Sequence, residues 1–191
     1  MNCLKIKNLI RKLWILLENK FEKHSIYQKE KTHNEFLKRL ENAKSCVCLF
    51  GLKFPNYFTT HNKIYTALKH LEKKNPKVKV KIFIPNKKIV EKLEKLNIYP
   101  HKENISRGNI YKIHSFQDDF EKLNIEIIEY NCFVPFGFSA IDVDLHNSFV
   151  HISKVKRNFY IKDSEFFNIY KNPTLNKLFI KLINIIIRSK R

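Results

Sequence analysis

The stretch from Glu35 to Pro85 constrains the fold more than any other part of the chain. Residues 35–45 place Phe36, Leu37 and Leu40 at the spacing of an amphipathic helix. The apolar run Cys46-Val-Cys-Leu-Phe-Gly-Leu52 follows as a strand and closes on Phe54-Pro55-Asn56. A second helix is predicted over Thr60–Lys74, and a second strand over Val78–Ile84 that stops at Pro85-Asn86. A β-α-β unit of this length joins two parallel strands, and such strands are buried on both faces. Ile82 and Ile84 then share one face of the second strand while Phe83 takes the other. Ligand sites in open α/β sheets gather at the carboxyl ends of the strands, so a site is expected there.

The flanking chain supplies the rest of an α/β domain. Residues 3–23 read as a helix with Ile6, Leu9, Ile10, Leu13, Trp14, Leu16, Leu17 and Phe21 on its apolar face. Its longest apolar run, Leu13–Leu17, is far short of a membrane span, and its charges do not suit a signal peptide. Residues 24–34 are polar and read as a linker. Helices are predicted over residues 87–96 and 110–123, the second with Ser115 as a cap and Asp118-Asp119 near its start. Strands are predicted over 125–130, 138–143, 149–152 and 158–162. Pro135 and Gly137 break the chain before Phe138, and residues 144–147 form a turn. From Ser164 the chain reads as a helix with Leu175, Leu178, Phe179, Leu182, Ile183 and Ile186 on one face. The expected organisation is an N-terminal helix and linker over 1–34, then an α/β domain over 35–191 that includes the C-terminal helix.

Charge narrows the partners. With 37 Lys and Arg against 18 Asp and Glu, the net charge is +19, which favours nucleic acid or another polyanion. The lysines are spread along the whole chain, and Ile and Asn are abundant too, so biased coding would give the same balance. Only 3 glycines occur, and no Walker A or GxGxxG loop is present to cradle a nucleotide. Cys46 and Cys48 sit two apart on a strand and so face one side, as core filler does. No zinc spacing occurs among the four cysteines, and a reducing cytoplasm is the expected compartment.

The segments FLKRLENAKSCVCLFGL, ALKHLEKKNPKVKVKIFIPN and LNIEIIEYNCFVPFGFSAIDVDLHNSFVHIS resemble, in this order, phospholipase D-like domains. The resemblance covers about Glu35–Tyr170 and implies a mixed sheet flanked by helices. Active members of that family use a His-x-Lys-x4-Asp motif, two copies of which meet at one site. The His attacks phosphorus and the Lys balances phosphate charge. If Asp142 stands for the motif Asp, Pro135 holds the His place and Gly137 the Lys place. If Asp144 does, those places fall on Gly137 and Ser139. His61-Asn62-Lys63 has the His-x-Lys spacing, but Leu68 stands where Asp is needed. The resemblance therefore implies a regulatory or sensing module with a degenerate site, which binds an anionic ligand or nucleic acid. The pairing of two sites also makes a homodimer an expectation.

The candidate ligand-binding residues are Asn56, Tyr57, Asn86, Arg107, Ser139 and Asp142. Tyr57, with Phe54 and Phe58, stands between Lys53 and Lys63, a pattern that stacks bases or caps a core. Arg107 beside Gly108 offers a bidentate grip on phosphate or is a solvated loop charge. A second reading is a phosphodiesterase or nuclease using His146 or His151 with Asp142. Against it, Asp142 and Asp144 before a hairpin are ordinary turn chemistry. A third reading is a module that docks on a membrane surface or a protein through the terminal helices. No cofactor or metal is expected.

Overall fold

The computed structural model describes residues 8–13, 15, 26–50, 63–89, 91, 118–131, 136–143, 148–154, 165–170 and 173–188. Its elements are α1 (8–13), α2 (Ile26–Glu41), β1 (Cys46–Phe50), α3 (Lys63–Lys74), β2 (Lys79–Pro85), β3 (Asn124–Tyr130), β4 (Phe136–Ile141), β5 (Phe149–Lys154), β6 (Glu165–Tyr170) and α4 (Pro173–Arg188). The six strands form one mixed sheet in the order β3-β2-β1-β4-β5-β6. β1, β2 and β3 are parallel; β4, β5 and β6 each run antiparallel to the strand before them in that order.

The alternation along β2 divides the core between the two faces. Val80, Ile82 and Ile84 pack with Phe36, Leu40, Ile64, Leu68 and Leu71 beneath α2 and α3. Phe83 points the other way, into a cluster with Leu9, Ile10 and Leu13 of α1 and Phe179, Leu182, Ile183 and Ile186 of α4. The split of Ile82 and Ile84 from Phe83 follows from the two-residue period of a strand. Phe83 is fully buried. Val47 and Leu49 of β1 join the first cluster, Cys48 and Phe50 the second, so the two cysteines take the same face as expected.

Four expectations are corrected. The supposed linker at 24–34 is helical from Ile26, and α2 runs unbroken through 34 and 35. Its apolar residues Phe36 and Leu40 are one turn apart, and the helix lies against α3 and β6. The chain at 165–170 is the edge strand β6, not the start of the C-terminal helix. Its aromatic and β-branched residues suit a strand, and the helix begins at Pro173, where proline is tolerated in a first turn. Gly137 does not break β4 but pairs with Ser153 inside it.

Fourth, the helix predicted through Leu123 has ended by Asp119, and residues 121–123 are bends. Glu72 of α3 explains that ending. Its carboxylate accepts from the backbone N–H groups of Lys122 (2.8 Å) and Leu123 (3.3 Å) and pairs with Lys69 at 3.1 Å. Burial pushes this carboxyl up, but those N–H groups and the Lys69 ammonium outweigh it and hold it below the usual range. Asp118 and Asp119 thus stand at a helix end, and the Asp119 carbonyl accepts from Lys69. Residues 14, 16–25, 92–117, 144–147 and 155–164 fall outside the described residues, and with them the readings made for Trp14, Ser115, the 144–147 turn and the strand at 158–162.

Candidate functional site

The carboxyl edge of the sheet is where β1, β2 and β3 end, β4 begins and β5 ends. Its floor on the α1–α4 side is aromatic. Phe50 stacks on Tyr130 at 4.5 Å between ring centroids and on Phe138 at 4.8 Å. Phe83 meets Phe50 at 5.8 Å, and Phe179 of α4 meets Phe138 at 5.1 Å. These rings are buried, so the layer below this edge is closed and apolar. β1 and β3 supply the neighbouring rings because both flank β2, and β4 completes the row from the far side of β1.

Asn86 lies on this edge, as expected, and its groups are engaged locally. Its backbone N–H donates to the Tyr130 carbonyl at 2.8 Å. Its side-chain oxygen accepts from the Ile89 N–H at 3.0 Å, which caps the helical turn at 87–89.

Asp142 lies at the opposite edge, and here the expected site comes apart. Ile141 pairs with Val47, and the Asp142 N–H donates to the Cys46 carbonyl at the start of β1. The Asp142 carboxylate accepts from the N–H groups of Lys44 (2.9 Å), Ser45 (2.8 Å) and Cys46 (3.3 Å), and from the Ser45 hydroxyl (3.1 Å). A buried carboxylate with four donors is an anchor for the turn before β1. Its φ of 52° places it in the left-handed region, which Asp enters more readily than most residues. A pocket holding Asn86 and Asp142 together is therefore not what this topology builds: the two residues end different sides of the sheet.

Ser139 and His151 do come together, in the middle of the sheet. They are register partners in β4 and β5, on the face covered by α2. His151 is 5% exposed and stacks on Phe36 of α2, with centroids 4.7 Å apart and planes 13° apart. His33 of α2 brings a second imidazole 5.9 Å from His151. Burial, and then the Lys63 ammonium at the start of α3, push the His33 pKa down. Sequence reading missed His33 because it fell in the supposed linker; the signal was its i,i+3 spacing from Phe36. The two rings and Ser139 form a polar island in an apolar layer. Asp142 follows Ser139 by three residues and faces the turn before β1, so the Asp142–His151 pair does not form. Asn56, Tyr57, Arg107 and His146 lie outside the described residues.

A six-stranded mixed sheet of this order, with paired helices on each face, defines a phospholipase D-like α/β fold. NucT from Helicobacter pylori has that fold, and it superposes with a TM-score of 0.54 over 85% of this chain and 91% of its own, at 12% identity. TrmBL2, an archaeal chromatin protein, gives a TM-score of 0.44 at 16% identity over 96% of this chain and 61% of its own, below the level that defines a shared fold. No family model and no curated protein matches the sequence. Among the described residues, no helix is long and apolar enough to cross a membrane.

Proposed function

We propose that this chain is a phospholipase D-like module with a degenerate site, which binds nucleic acid or another anionic ligand at the carboxyl edge of its sheet. One observation carries the reading. If Asp142 stands for the motif Asp, the His place falls on Pro135 and the Lys place on Gly137, which pairs with Ser153 in β4; if Asp144 does, the two places fall on Gly137 and Ser139. The chemistry needs an imidazole on phosphorus and a cation beside it, and this strand supplies neither. The sheet, in contrast, is intact, and the net charge of +19 favours an anionic partner.

The connections that start at this edge contain the residues suited to a single strand. Residues 51–62 include Asn56 and Tyr57 among Phe54 and Phe58, and residues 92–117 include Arg107. Binding to an oligonucleotide of ~10 residues at low salt tests the reading. Tyr57→Ala is expected to weaken it by about 1–3 kcal/mol through lost base stacking. No phosphodiester cleavage is expected from the same sample. Turnover that disappears in His151→Ala or His146→Ala, with the fold retained, would replace this reading with the nuclease one.

A further inference from the structure

The two ends of the sequence are basic and free of acidic residues, as are residues 42–71 and 73–90. Residues 1–17 contain four Lys or Arg and no Asp or Glu; residues 166–191 contain six and none. The fold brings α1 and α4 to one place. Leu9, Ile10 and Leu13 of α1 and Phe179, Leu182, Ile183 and Ile186 of α4 pack into the same cluster on the same face of the sheet. Their buried stripes fix what faces outward: Arg11 and Lys12 from α1, Lys177 and Lys181 from α4, all exposed. The opposite face is different. Its helices mix Glu35, Glu41 and Glu72 with their lysines, and Glu41 and Glu72 pair with His70 and Lys69. The helices of the α1–α4 layer thus carry cations alone, whereas those of the α2–α3 layer carry both signs.

One apolar group accompanies those cations. Ile15, one turn past Arg11 and Lys12, is 57% exposed, and it is the one large exposed apolar side chain among the described residues. We infer that the outer surface of α1 and α4 docks on an anionic lipid bilayer, with the four cations at the headgroups and Ile15 reaching into the interface. Lys and Arg near an anionic leaflet each strengthen binding, and a protruding aliphatic side chain adds to it only where hydrocarbon is within reach. Nucleic acid would reward the cations but leave Ile15 in water. This surface is built from α1 and α4 and not from the strand ends at which the ligand site is proposed above, so either proposal can fail without the other.

Co-sedimentation of the full chain with phosphatidylcholine vesicles, with and without 30% phosphatidylserine, tests the inference. Binding is expected only to the anionic vesicles, and it should weaken as salt rises from 0.1 to 0.5 M. Each Lys or Arg near the surface is worth roughly a five-fold change in partition, so Lys177→Glu/Lys181→Glu should lower it more than ten-fold. Lys38→Glu/Lys73→Glu makes the same change in net charge on the α2–α3 face and should lower it far less. Ile15→Ser should reduce partition several-fold and leave the salt dependence unaltered. Thermal unfolding of each variant confirms that it is folded. An equal loss in both charge-reversal pairs would show that net charge alone acts and would overturn the inference. So would α4 variants that keep vesicle binding but lose affinity for DNA.

Discussion

Asp142 shows how a residue that looks reactive in sequence becomes structural once its donors are counted. Three backbone N–H groups and a hydroxyl converge on one carboxylate, and removing it takes the acceptor from four part-buried donors. Asp142→Ala is therefore expected to cost about 2–4 kcal/mol, as loss of a charged acceptor for several donors does. Asp142→Asn, which keeps one acceptor oxygen, should cost less in the same urea titration. His33 gives the pH dependence. Its pKa in the folded chain lies below the 6.5 of an unfolded His, so between those values the unfolded chain binds more protons. The stability it contributes is complete above pH 6.5 and falls as the pH drops through 6.5 toward the lower folded value. The urea midpoint should thus decline from pH 7.5 to 5.5, and His33→Gln should flatten that decline. A midpoint that rises toward acid would mean that the folded His33 is the better proton acceptor.

At the scale of elements, legibility followed burial. β2 was readable because its alternation is strict and both of its faces are covered, so Phe83→Ala should cost roughly 3–5 kcal/mol in equilibrium unfolding. The buried stripe of α4 was equally plain, since Phe179, Leu182, Ile183 and Ile186 keep the helical period. α2 was not plain. Its first half, Ile26–Asn34, is polar, and its docking partner β6 was read as helix. A helix whose stability comes from tertiary contact cannot be seen until the element it contacts is known. The reading of Asn34 as linker or helix separates cleanly by experiment. Asn34 is exposed, so Asn34→Pro should be nearly silent in a linker but cost about 3 kcal/mol inside α2. The site was less legible than the fold for a topological reason. Asn86 and Asp142 both border strands, but which edge each borders depends on strand direction, and the antiparallel return of β4 sends Asp142 to the far side.

For the molecule as a whole, the question is whether its charge acts as a sum or through places. The sheet has a phospholipase D-like fold, and under the proposed reading electrostatics and stacking are its means of engaging an anionic partner. A chain of net charge +19 should bind single- or double-stranded DNA at low salt without regard to sequence. That binding releases condensed counterions, so the logarithm of its affinity should fall linearly with the logarithm of salt concentration. The slope counts the phosphates neutralised, about 0.9 per contact on a duplex and about 0.7 on a single strand. If charge acts only as a sum, each lysine removed shortens the slope by a similar small step, wherever it lies. If the carboxyl edge is a site, two classes of variant separate. Arg107→Ala should lower the slope by about one contact, whereas Tyr57→Ala should weaken single-strand binding with the slope unchanged, because stacking releases no ions. Identical behaviour of Tyr57→Ala and wild type on single strands would leave the carboxyl edge without a part in binding.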